Sequence, residues 1–86
     1  MIEKNIVIKN ETGIHARPAM EIVKEASKFK SEVFIIKNNN NYNAKSIVGI
    51  MSMGCVKGDE IVIKASGEDE KEAVESLIDL IENKIN

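Results

Sequence analysis

The chain has no tryptophan, one tyrosine and two phenylalanines in 86 residues. No aromatic cluster can form its centre, so any core is aliphatic, which favours two packed layers of secondary structure. Cys55 stands alone, which excludes an intrachain disulfide, and one cysteine with one histidine cannot complete a structural zinc site. No metal and no cofactor is expected. Acidic residues outnumber basic ones, 14 to 12, with the signs interspersed. The Lys/Arg block that tracks a phosphate backbone is missing, and direct nucleic-acid binding is not expected. The opening MIEKNIVIKN carries charges at positions 3, 4 and 9, which interrupt any signal-peptide core, and no apolar run approaches the length of a membrane span. A cytoplasmic protein without membrane insertion is expected. At this length residues 1–86 can build one modest core, so a single domain is expected, and a monomer.

What is present is regular patterning. Ile2, Ile6 and Ile8 alternate with Glu3, Asn5, Val7 and Lys9, the period of a half-buried strand, with Lys4 as the exception on the apolar face. From Ala16 the period lengthens: Ala19, Met20, Ile22, Val23, Ala26 and Phe29 mark one side of an amphipathic helix, opposite Glu21, Lys24, Glu25 and Lys28. EVFIIK (32–37) is a β-branched strand, and NNNN (38–41) is a turn into Tyr42 and Asn43, because asparagine tolerates left-handed backbone. SIVGIMSM (46–53) predicts a short helix with Ser46 as N-cap and Gly54 at its end. KGD (57–59) turns the chain into the strand EIVIKAS. In the last helix Asp69 and Glu72 have capping-box spacing, and Ala73, Val74, Leu77, Ile78, Leu80, Ile81 and Ile85 form its apolar stripe. The order is βαββαβα. With too few residues to cover both sheet faces, it predicts an α+β open-faced β-sandwich: a four-stranded antiparallel sheet with three helices on one face.

The chemistry concentrates in TGIHARPAM (12–20), which holds the only histidine and the only proline. If the helix starts at Ala16, His15 is its N-cap, Arg17 lies in the first turn, and Pro18 lacks an N–H the helix never uses. The free backbone N–H groups of Ala16 and Arg17, with the positive end of the helix dipole, favour an anion, and phosphate is the obvious one. A neutral imidazole at this position is a nucleophile. Once the ring takes a phosphoryl group, the backbone donors and the Arg17 guanidinium can hold the added charge. Gly13 frees the chain to bend into this position. There is no second histidine, no Ser/His/Asp set and no metal cluster, so the chemistry is uptake and release of a group, which suits a carrier and not an enzyme.

GIHARPA (13–19), followed by KSIVGIMSMG (45–54) and by ASGEDE (65–70), resembles HPr, the histidine-containing phosphocarrier of the bacterial phosphoenolpyruvate-dependent sugar phosphotransferase system. The resemblance covers the whole chain. It implies that His15 accepts phosphate from enzyme I at Nδ1 and passes it to enzyme IIA domains, with Arg17 stabilising the phosphoryl group. It also implies that Ser46 aligns with the serine phosphorylated, in low-GC Gram-positive bacteria, by an ATP-dependent HPr kinase/phosphorylase. In such bacteria the serine-phosphorylated form is a corepressor with a catabolite control protein. A phosphate at a helix N-terminus is tolerated by the fold and alters the surface beside it. Docking is expected at Met20, Ile47, Val48 and Met51, since methionine-rich surfaces re-pack against several partners. Met53 belongs to the core.

Departures from the family pattern are local. KNNNNYNAK lacks the Gly-Lys turn and the leucine common in relatives, leaving the turn type and the packing of Ala44 open. Val48 replaces a frequent methionine and Met20 a frequent threonine. His15 sets the chain apart from paralogues in which the histidine is replaced. Two function classes follow: a phosphoryl carrier on His15, or a regulatory interaction module governed by Ser46.

Overall fold

The computed structural model describes residues 1–85. Four strands, β1 (Ile2–Val7), β2 (Glu32–Lys37), β3 (Asn40–Asn43) and β4 (Glu60–Ser66), form an antiparallel sheet in the order β1-β4-β2-β3. Between them run α1 (Ala16–Ala26), α2 (Ile47–Ser52) and α3 (Glu70–Asp79), and α3 continues into a wider π-type turn, Leu80–Lys84. This is the expected open-faced α+β architecture. Register shows why one face is covered. Ile6 opposes Ile61, Val33 opposes Ala65 and Ile35 opposes Ile63, and all six are buried beneath the helices. The alternate residues Phe34, Ile36 and Val62 stay half-buried on the open face. Lys4 opposes Ile63 on the covered side, yet remains exposed because β1 is an edge strand.

The core is aliphatic as the composition demands, with Ile8, Ile22, Ile35, Ile50, Ile61, Ile63, Leu77 and Ile81 at its centre. Met53 joins it at 5% exposure and Ala44 at 0%. Ala44 is held there by its backbone, whose N–H donates to the Val33 carbonyl at 2.9 Å.

Three local expectations are corrected. First, the asparagine turn is two residues long. Only Asn38 (φ 52°) and Asn39 (φ 66°) are left-handed, which is the geometry of a primed hairpin turn matching the sheet twist, so Asn40 and Asn41 enter β3. Second, α1 ends at Ala26, and Phe29 reaches the core edge from the following turn. Third, Asp69 stands at the N-cap of α3 without capping it. Its carboxylate accepts instead from Lys30 N–H and Ser31 N–H, both at 2.9 Å, and from the Ser31 hydroxyl at 2.5 Å. Glu70, not Glu72, folds back to the backbone and accepts from Gly67 N–H at 3.0 Å. The acid two residues ahead of Glu72 is closer to the free amide, and Asp69 is drawn away by three donors at the start of β2. Among the described residues no helix is long and apolar enough to cross a membrane.

Candidate functional site

The loop between β1 and α1 is held from both sides. Gly58 N–H donates to the Ile8 carbonyl (2.8 Å), Ile8 N–H to Asp59 (2.9 Å), and Ile14 N–H to the Cys55 carbonyl (3.0 Å). Gly13 lies between these anchors at φ +66°, and a Cβ there would meet the Cys55 oxygen at 2.3 Å. Glycine is required twice over, by conformation and by contact. The turn closes on itself through Gly13 N–H to the Asn10 carbonyl at 3.1 Å and through the Asn10 side-chain amide to the Gly13 carbonyl.

His15 is therefore delivered in a fixed place. Its backbone is extended at the N-cap of α1, and its carbonyl takes the first helical bond, from Ala19 N–H at 2.9 Å. The ring is exposed and makes no capping bond to its own helix. Nε2 lies 3.1 Å from Oγ1 of Thr12. Ala16 and Arg17 occupy the first two helical positions, where an α-helix offers no acceptor, and Pro18 the third, where none is needed. No acidic residue falls in the first turn to neutralise that end of the dipole. Pro18 is buried while Arg17 is exposed, so the proline anchors the turn and the guanidinium remains free to move. His15, Ala16 and Arg17 are consecutive at the start of α1.

Ser46 caps α2: its Oγ accepts from Gly49 N–H at 3.0 Å, and the Ser46 carbonyl takes Ile50 N–H at 3.0 Å. Gly54 (φ 63°) follows the helix as its stop. α2 packs beside α1, and a shallow apolar groove between them is lined by Arg17, Met20, Glu21, Val23, Lys24 and Ile47. Met20 is 62% exposed, Val48 75% and Met51 48%, so three of the four expected docking side chains stand in solvent, with Ile47 partly packed.

Sequence reasoning missed four contributors. Glu21, Val23 and Lys24 line the groove because they lie within one turn of Met20. Val56, 59% exposed, flanks Gly13 only because the chain after α2 returns to the β1–α1 loop. No local signal reveals Val56. A single cation arranges that return: the Lys37 ammonium holds the carbonyls of Met53 and Gly54, each at 3.2 Å, and pairs with Asp59 at 3.0 Å. Bonding to Asp59 raises the Lys37 pKa, while the Val56 amide and Lys37 hold the Asp59 carboxyl below its ordinary value. Burial pushes the Cys55 thiol up, away from reactivity.

The family described as "PTS HPr component phosphorylation site" matches residues 2–83. HPr-like protein Crh of Halalkalibacterium halodurans is 48% identical over 82 residues, covering 95% of this chain and 98% of the relative. Phosphocarrier protein HPr of Neisseria meningitidis is 43% identical over 81 residues, covering 94% and 91%. A crystal structure of HPr from Thermoanaerobacter tengcongensis superposes with a TM-score of 0.93 at 52% identity, covering 98% of this chain and 94% of the other. A second structure from that organism is of an HPr dimer, with a TM-score of 0.77. Together with the exposed histidine at a helix start, these likenesses place the chain in the HPr family of the phosphotransferase system, whose members are phosphocarriers rather than enzymes.

Proposed function

We propose that this chain carries a phosphoryl group on Nδ1 of His15, taking it from enzyme I and handing it to enzyme IIA domains of sugar transporters. The observation that supports this reading most directly is an exposed imidazole at the N-cap of an 11-residue helix whose first amides lack helical acceptors. In the transfer the Nδ1 lone pair forms the new N–P bond as the donor's bond to phosphorus breaks. The N–H groups of Ala16 and Arg17 and the Arg17 guanidinium then hold the transferred charge. Each chain takes up and releases one phosphoryl group per cycle, so it works stoichiometrically, as a single-domain monomer. Met20, Ile47, Val48 and Met51 give donor and acceptors a common apolar docking surface beside the site. Incubation with phosphoenolpyruvate and enzyme I should place an acid-labile, base-stable phosphate on the protein. Label that persists in His15→Ala would overturn the assignment.

The likeness to Crh favours a second, compatible role, regulation through Ser46. An HPr kinase/phosphorylase would esterify Oγ, and the phosphate oxygens could inherit the Gly49 N–H that Oγ now accepts. A charge of about −1.5 to −2 then sits beside Ile47, Val48 and Met51, repelling an acidic partner such as enzyme I and creating a face for a catabolite control protein. ATP-dependent, acid-stable phosphate on Ser46, with corepressor binding unaffected by His15→Ala, is the expected result.

A further inference from the structure

β2 ends on a residue that its own pattern does not call for. The alternation that buries Val33 and Ile35 puts Lys37 on the same covered side of the sheet, where a third apolar residue would close the core. An ammonium in that place has to be paired. The Lys37 side chain is 16% exposed and that of Asp59 27%, the least exposed ion pair among the described residues. Its three donors meet three acceptors: the Met53 and Gly54 carbonyls, each at 3.2 Å, and Oδ2 of Asp59 at 3.0 Å.

What this ammonium holds is the seat of the histidine loop. The chain between α2 and β4 belongs to neither element, so contacts of this kind set its place. The two carbonyls that Lys37 binds lie at the C-terminal end of α2, which favours a cation. The next carbonyl along, that of Cys55, accepts from Ile14 N–H at 3.0 Å, one residue before His15. There is no slack at that point, since a Cβ on Gly13 would stand 2.3 Å from the same oxygen. Asp59 secures the other side of the seat: Oδ2 accepts from Val56 N–H at 2.8 Å, and its backbone carbonyl accepts from Ile8 N–H at 2.9 Å.

We infer that Lys37 is a positioning residue for phosphoryl transfer: by fixing the peptide on which Ile14 docks, it sets where the His15 imidazole stands against the first amides of α1. The inference rests on the carrier reading. Lys37 acts through backbone alone, from the Gly54 carbonyl to the Cys55 carbonyl, to Ile14 N–H, to His15. Charge-assisted bonds suit the task, being shorter and stronger than neutral ones. In-line transfer is sensitive to small misplacements of the nucleophile, so loosening the seat is felt in the rate of the chemical step. Binding of the donor is not affected in the same way, because Met20 stands on α1, and Val48 and Met51 stand on α2, which is anchored in the core by Ile50.

Two measurements test it, on Lys37→Met, which keeps the length and loses the charge, on Lys37→Arg, which keeps the charge, and on Asp69→Asn as a control that weakens the fold through Lys30 and Ser31, outside the loop. By hydrogen exchange, the Ile14 amide should open about ten- to a hundredfold more often in Lys37→Met, the loss of bonds from a charged donor, with the amides of β4 changing less. Transfer from phosphorylated enzyme I should slow about three- to tenfold in kcat with KM within about twofold, and Lys37→Arg should recover both readouts. Asp69→Asn should leave the transfer rate unchanged and move Ile14 exchange only in step with β4. Ile14 exchange that rises no more than β4 in Lys37→Met, an unchanged transfer rate, equal slowing in Asp69→Asn, or arginine no better than methionine overturns the inference. Should Lys37→Met not fold, Lys37→Gln is read by the same criteria. If the unaltered protein takes up no label on His15, the carrier reading fails instead, and Ile14 exchange still decides whether Lys37 holds the loop.

Discussion

At Gly13 two demands meet, a left-handed backbone and a carbonyl 2.3 Å from where a Cβ would stand. Gly13→Ala should therefore cost more than the roughly 1 kcal/mol of a glycine replaced in open space, about 2 to 4 kcal/mol by urea unfolding, because the Cys55 carbonyl that holds Ile14 has to move. Since that bond also sets the start of α1, the variant should load phosphate poorly even where it is folded. Arg17 behaves in the opposite way. Its side chain is exposed and packs little, so Arg17→Ala should leave stability within about 0.5 kcal/mol. It should slow phosphoryl transfer on the order of ten- to a hundredfold, the loss of a charge-assisted contact. Unfolding curves and rapid-quench kinetics on the same two variants separate placing the histidine from holding its phosphate.

Among the elements, α2 is the one whose existence depends on its cap. Six residues with a glycine inside make a weak helix, and the Ser46 bond to Gly49 N–H serves one of its orphan amides. Ser46→Ala should lower stability by about 1 kcal/mol, measured by thermal or urea unfolding, with His15 chemistry intact. The β2–β3 hairpin offers a gain. Asn39 holds a φ of 66°, so Asn39→Gly should raise stability by a few tenths to about 1 kcal/mol; a loss would contradict the primed-turn reading. Elements with a clean period were legible from the sequence: β2 and β4 lie where EVFIIK and EIVIKAS place them, and His15 and Ser46 stand at the N-cap positions their spacing indicates, though only Ser46 makes a capping bond. What escaped depends on distant partners. Asp69 has the local look of a cap, yet Lys30 and Ser31, nearly forty positions earlier in the chain, outcompete the helix for it. Thr12 beside His15 was present at a spacing of three, but only the fold of the Asn10–Gly13 turn brings its hydroxyl to the ring. Val56 reached the site through tertiary return alone.

At the scale of the molecule, three carboxylates tie separate elements together. Asp69 joins the start of β2 to the start of α3, Glu25 joins α1 to α3 through the Ser76 hydroxyl, and Asp59 joins the loop before β4 to Lys37 at the end of β2. Hydrogen bonds from Ser31 and the Lys30 amide bring Asp69 down from 3.8 to about 2, and Glu25 and Asp59 are lowered by Ser76 and the Val56 amide respectively. A folded pKa below the unfolded one contributes stability that is complete above the unfolded value and is lost as pH falls through the folded one. Stability should therefore decline from about pH 4 toward pH 2, and Asp69→Asn should flatten that limb while lowering the plateau near neutrality; an acid limb unchanged in Asp69→Asn would show that the bond to Ser31 does not couple to folding.

The fold presents one imidazole at one open helix end, and the functional account depends on what that ring accepts. Its most direct test is mass spectrometry and 31P NMR of the protein after incubation with phosphoenolpyruvate and enzyme I. The account predicts a single acid-labile phosphate on Nδ1 of His15, absent in His15→Ala. Phosphate found on another residue, or none at all with an enzyme I that loads a known HPr in parallel, would contradict it.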